Sequence, residues 1–270
     1  MTRVVVKKNS KDFVLTGAQS GVLYISSLPV EKNILTGIKR KLKSFEKAFE
    51  YVTHCSGHVE VINASSQKLT QADRSIDYVF TDPPFGDFIP YAEVNQINEL
   101  WLPHRTDRAA EIIISSSQKK GVSCYQKMMT QVFSEVHRVL RDKSNATVVF
   151  HASKAVVWNA LCAAYSDAGF KVETTSFLDK KQASFKQVVS DGSVQGDPLI
   201  LLAKGSTSSR ESAPYRILDE AIAECDTKQH MDKRHVYADY INRCLERGLT
   251  IELDAKAAYA YISNGIGATV

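Results

Sequence analysis

Short apolar runs rich in β-branched residues alternate along this chain with longer stretches whose apolar side chains recur at helical spacing. Val22–Leu28, Val59–Ile62, Ile76–Phe80, Ala146–Phe150, Lys171–Phe177 and Pro198–Leu202 read as strands. Ile34–Val52, Ser123–Leu140 and Val156–Ala168 read as helices, the last closed by Gly169 where a C′ glycine belongs. Parallel strands need a crossover of about a dozen residues or more, and these helices supply it. The expected fold is α/β, with a mostly parallel sheet covered on both faces. Only a polar connector, at 179–197, separates the last two strands, which suits an antiparallel terminal hairpin.

At 270 residues the chain has room for one large α/β domain and a small addition. No apolar run approaches the roughly 18 residues of a membrane span, and the start of the chain lacks a signal-peptide core. The expectation is a cytoplasmic protein with no membrane partner. Five widely spaced cysteines without a C-x-x-C pair point to reduced thiols and away from a zinc ribbon. Scattered histidines show no ligand spacing, so no metal is expected. A net charge of +4 permits nucleic-acid binding without requiring it.

The chemistry concentrates in Thr81-Asp-Pro-Pro-Phe-Gly86, directly after the strand Ile76–Phe80. Each proline fixes its own φ and pushes the preceding residue toward extended geometry. Asp82 and Pro83 therefore have few conformations to lose. The Asp82 carboxylate, the carbonyls of Asp82 and Pro83, and the Phe85 ring can converge on one small volume. Two acceptors beside an aromatic face suit the exocyclic amine of a planar base.

Asp82, Pro83, Pro84 and Phe85 match the catalytic motif of the amino-methyltransferases, which methylate base amines with S-adenosylmethionine. The longer run to Glu93, Gly-Asp-x-x-x-Tyr-x-Glu in outline, resembles the adenine-specific DNA methylase branch. The resemblance spans roughly Val22 to Lys204 and implies a Rossmann-like class I methyltransferase fold. It implies methylation of adenine in DNA, with the base flipped into the pocket, and a setting such as restriction-modification. Phe85 would stack on the base, with Asp87, Tyr91 and Glu93 lining the pocket or its rim. The plain alternative for Pro90 and Glu93 is helix-start chemistry.

One part of the family pattern is missing. A strand followed by a Gly-rich turn normally approaches the methionine end of the cofactor. The stretch Thr16–Gly21 after Phe13–Leu15 leaves no room for a crossover helix, and Gly265 and Gly267 have no strand before them. Either another polypeptide or a portion absent from this chain supplies that loop, or the chain is a non-catalytic subunit of a modification or phage-defence assembly. In the first case Glu31 accepts from the cofactor ribose, and Asn63 and Ser65 lie beside its adenine, with Asp82 completing the cofactor site. Glu31 equally suits a simple helix start.

An RNA base methyltransferase remains open, because the same motif serves amines in RNA. Asp82 argues against a protein-glutamine methyltransferase, whose motif begins with Asn. Residues 1–205 are expected to form the methyltransferase-like domain. A Gly/Ser-rich linker after Lys204 should lead into a small helical appendage within 206–270, at Tyr215–Ala223, Arg234–Arg247 and Ala255–Ser263. Lys39 to Lys47 on the first helix, Gln118 to Lys120, and the basic stretch 228–235 are the candidates for phosphate contact on charge alone.

Overall fold

The protein is described here by a computed structural model, which covers residues 2–6, 13–18, 33–178, 197–206, 214–226 and 233–266. Its two compact units are Met1–Asn63 and Ala64–Val270.

In the first unit, β1 (Thr2–Val6) pairs antiparallel with β2 (Phe13–Ala18). Thr2 faces Ala18 and Arg3 faces Thr16, so the register skips Gly17 in the manner of a β-bulge. Phe13–Leu15 and Gly17 therefore belong to one strand, not to a strand and a cofactor turn. Helix α1 (Ile34–Thr53) begins at Asn33, whose Oδ1 accepts from the Thr36 N–H at 3.0 Å. The expected strand at Val59–Ile62 does not form; residues 55–65 carry no regular structure, and Val59 and Val61 are 81% and 93% exposed. High strand propensity is not sufficient there, since a strand needs a neighbouring edge to take its hydrogen bonds. The predicted strand Val22–Leu28 and Glu31 lie outside the described residues.

The second unit is built on β3 (Ile76–Thr81), β4 (Leu140–Val149), β5 (Phe170–Leu178) and β6 (Asp197–Lys204), in the order β3-β4-β6-β5. β3 and β4 are parallel, whereas β4–β6 and β6–β5 are antiparallel. The terminal hairpin is as expected, and among the described residues the sheet is mixed, with β3, β4 and β5 running one way and β6 the other. β6 inserts between β4 and β5 and runs opposite to both.

Helix α4 (Val122–Val139) is the crossover between β3 and β4 and buries Tyr125, Met129, Phe133 and Val136 along one stripe. Helix α5 (Ala155–Asp167) is apolar over most of its surface and buries Val157, Trp158, Leu161 and Tyr165. Gly169, at φ +89°, ends it as the spacing predicted; its N–H donates to the Ser166 carbonyl at 3.0 Å. Between β3 and α4, α2 (Tyr91–Val94) and α3 (Gln96–Glu99) are single turns, and Leu100, Trp101 and Leu102 stand exposed after them.

Helices α6 (Pro214–Asp226), α7 (Lys233–Glu246) and α8 (Ala255–Ile266) follow. They are no separate appendage. Ile217, Leu218, Tyr237, Tyr240, Ala258 and Ile262 join the same buried cluster as Phe133, Leu161 and Leu202. Asn159 Nδ2 donates to the Ile251 carbonyl at 2.7 Å, and the Ile251 N–H donates back to Asn159 Oδ1 at 3.1 Å. Asp254 Oδ1 accepts from the Ala155 N–H at 2.6 Å, so the chain's C-terminal region caps the start of α5. Gly265 lies inside α8, which removes it as a cofactor turn.

Candidate active site

β3 delivers the chain to Asp82 at its carboxyl end, the end where open α/β sheets bind ligands. There a pocket of about 340 Å³ is lined by Asp82, Pro83, Pro84, Phe85, Gly86, Phe88, Ile89 and Tyr91. Asp82 is exposed, Pro83 is buried, and Phe85 is half-buried. The loop thus holds a carboxylate toward solvent beside a fixed aromatic ring.

Three neighbours fix that ring. Phe150, at the end of β4, meets Phe85 edge-on with centroids 5.3 Å apart. His151 lies 6.3 Å and Phe88 6.2 Å away by the same measure. Behind the loop the fully buried Tyr125 donates its hydroxyl to the Pro84 carbonyl at 2.6 Å. Burial pushes the Tyr125 hydroxyl well above the ordinary tyrosine range, the Gly86 backbone N–H pulling weakly the other way, so it stays a donor at neutral pH.

Gly86 closes the turn at φ +69°, a conformation that side chains other than glycine rarely adopt. A Cβ there would stand 2.8 Å from Val157 Cγ1 on α5, so the close approach of loop and helix also requires glycine. The Gly86 carbonyl accepts from the Ile114 N–H at 3.1 Å, tying the loop to the segment after α3.

The rim residues divide. Tyr91 lines the pocket. Asp87 is held by Lys154 Nζ at 2.6 Å. Glu93 does not line the pocket; its Oε1 accepts from Arg108 at 3.1 Å and from Ser117 at 2.8 Å. Glu111 accepts from the Ala92 N–H at 3.1 Å and from Gln118 at 2.6 Å. Lys120 Nζ gathers the carbonyls of Arg108, Ala109 and Glu111. Residues 108–120 are thereby bound to the pocket wall at 86–93, and the Lys120 ammonium is engaged by the backbone of its own loop.

Asn63 is exposed, and Ser65 forms a local turn, its Oγ accepting from the Gln67 N–H at 3.3 Å. Residues 228–232 of the basic stretch lie outside the described residues. Phe88, Ile89 and Tyr125 escaped the sequence reading. The first two follow the motif directly and carried a signal in their aromatic and apolar types; Tyr125 was legible only as a core position on its helix. Among the described residues no three His, Cys, Asp or Glu side chains gather as a metal site, and no helix is long and apolar enough to cross a membrane.

No family profile matches the chain, and no curated protein matches it. Among solved structures it is similar to the antibiotic-resistance methyltransferase Kmr, at 17% identity and a TM-score of 0.27 over 54% of this chain and 61% of that one. It is also similar to a protein of Thermus thermophilus assigned as a DNA modification methylase, at 11% identity and a TM-score of 0.31 over 75% and 93%. The form of that protein complexed with S-adenosyl-L-methionine matches at 12% identity and a TM-score of 0.28, over 57% and 59%. The chain spans only 61% of Kmr and 59% of that complexed form. These neighbours are methyltransferases by name, and at such TM-scores the likeness carries no argument about what this chain does.

Proposed function

We propose that the chain carries the catalytic half of an S-adenosylmethionine-dependent methyltransferase acting on the exocyclic amine of adenine in DNA. The observation that supports this reading is the pocket at the end of β3, where the exposed Asp82 carboxylate and the fixed Phe85 ring share one wall. The acceptor set fits a base amine. Asp82 and the Pro83 carbonyl accept its two hydrogens, turning the nitrogen lone pair outward and favouring the positive charge that develops on nitrogen. Phe85 stacks on the flipped base, where stacking is worth ~1–3 kcal/mol against an unstacking cost of a few kcal/mol. Phe88, Ile89 and Tyr91 exclude water from the remaining rim. S-adenosylmethionine, when bound, supplies an electrophilic methyl group. Asp82 and Ser65 are the residues of the second unit proposed to hold it.

A second element of the reading is a partner polypeptide that brings the Gly-rich cofactor loop. Gly17 is engaged in a strand and Gly265 in a helix, so neither fits that role. Among the described residues β3, like β5, is an outer strand of the four-stranded sheet, and Tyr78 and Phe80 on β3 are 53% and 63% exposed. An aromatic-bearing edge with no proline or lysine to guard it is suited to accept a further strand.

The test is transfer of labelled methyl groups from S-adenosylmethionine to unmethylated DNA and, separately, to RNA, followed by nucleoside analysis. N6-methyladenine from DNA is the expected product. Label confined to RNA would replace the substrate with an RNA base. No transfer to either, with the fold intact, would leave a non-catalytic subunit or a half-enzyme waiting for its partner.

A further inference from the structure

We infer that Tyr125 is a positioning residue of this site, its hydroxyl stapling the turn around Phe85 and so setting the ring against which a base would stack. The inference rests on the proposed reading of the Asp82 pocket for its consequence, though not for its geometry.

Tyr125 is completely buried in the core stripe of α4, yet it ends in a polar group. A buried hydroxyl is costly unless hydrogen-bonded, and this one is spent on the loop: it donates to the Pro84 carbonyl at 2.6 Å. That one hydrogen bond holds the peptide group directly before Phe85. Prolines fix the chain up to Pro84, and Gly86, at φ +69°, is the most permissive residue of the loop. Without the hydroxyl, the turn from Pro84 to Gly86 rests on the Ile114 hydrogen bond to the Gly86 carbonyl and the packing of Phe85 on Phe150, Phe88 and His151. A tyrosine here gains nothing for the core over a phenylalanine, so its oxygen marks the loop as its purpose.

Tyr125→Phe removes that oxygen and little else. The comparison variant is Phe133→Leu, a core change on the same helix whose ring packs on Tyr165 and Phe170, away from the loop. Amide hydrogen exchange followed peptide by peptide is the first readout. Tyr125→Phe should speed exchange over residues 85–89 about tenfold or more, while the strands β4 and β6 keep theirs. Unchanged exchange at 85–89, or acceleration spread through the chain as in Phe133→Leu, overturns the inference. Methyl transfer is the second readout, with the partner chain present if one is needed. Tyr125→Phe should lower kcat about ten- to a hundredfold with KM for S-adenosylmethionine unchanged, whereas Phe133→Leu keeps kcat well below its unfolding temperature. Wild-type kcat in Tyr125→Phe overturns the inference. Should the wild-type protein transfer no methyl group at all, the proposed function fails and the exchange result alone decides the role of Tyr125.

Discussion

Lys154 Nζ lies 2.6 Å from Asp87 Oδ2, joining the residue that precedes helix α5 to the loop that follows Phe85. Both side chains are about half exposed, so solvent and salt weaken the attraction. Lys154→Ala should cost less than about 1 kcal/mol of stability, and raising the salt to about 1 M should remove most of the difference. Urea denaturation at low and high salt checks both statements. A salt-independent loss of several kcal/mol would mean that Lys154 acts through packing.

Gly86 should be far less tolerant. Gly86→Ala forces an L side chain into positive φ and drives its Cβ to 2.8 Å from Val157 Cγ1. Backbone strain and overpacking together should cost about 2–4 kcal/mol, read as a shift in the urea midpoint. Gly86→Ala,Val157→Ala should recover the packing share and leave the strain, and full recovery would show that the positive φ costs nothing here.

Stability should also fall in acid through one identifiable carboxylate. Glu135 accepts two hydrogen bonds from Arg138, at 2.9 and 2.8 Å, and one from the Leu69 N–H at 2.8 Å. The Arg138 guanidinium first, and then the Leu69 N–H, lower its pKa from 4.5 to about 2. Because the folded-state value lies below the unfolded one, the stabilisation is complete above pH 4.5 and is lost as pH falls toward 2. Glu135→Gln should therefore be less stable than wild type near neutrality and should lose less of its stability on acidification. Urea midpoints near pH 7 and near pH 3 give the comparison.

Elements with a long helical period were legible in the sequence nearly to the residue. Helix α4 was expected at Ser123–Leu140 and runs Val122–Val139; α5 was expected at Val156–Ala168 and runs Ala155–Asp167. Glycine and proline punctuation explains this: Gly121 and Gly169 bracket the two helices, and Pro83 ends β3. Strand pairing was only partly legible: the polar connector signalled the β5–β6 hairpin, but nothing local in Pro198–Leu202 says that β6 will also take the edge of β4. The C-terminal helices were found but misread as peripheral. A polar linker marks a break in composition, yet the apolar stripes of Ile217, Tyr237 and Ile262 carry no signal of which surface they will cover. At the site, the Asp82–Phe85 motif was plain, since it is contiguous. Tyr125 was not, since its partner at Pro84 is 41 positions away and only the fold brings them together.

Methyl transfer by the wild-type chain and by Asp82→Ala, measured side by side with labelled S-adenosylmethionine and unmethylated DNA, tests the central claim most directly. Asp82 is exposed and lines the pocket, and urea unfolding of both proteins alongside the assay separates a lost reaction from a lost fold. The account predicts label in N6-methyladenine with the wild-type protein and none above background with Asp82→Ala. Equal turnover by the two proteins would contradict it, because the carboxylate that is meant to hold the amine would then take no part in the reaction.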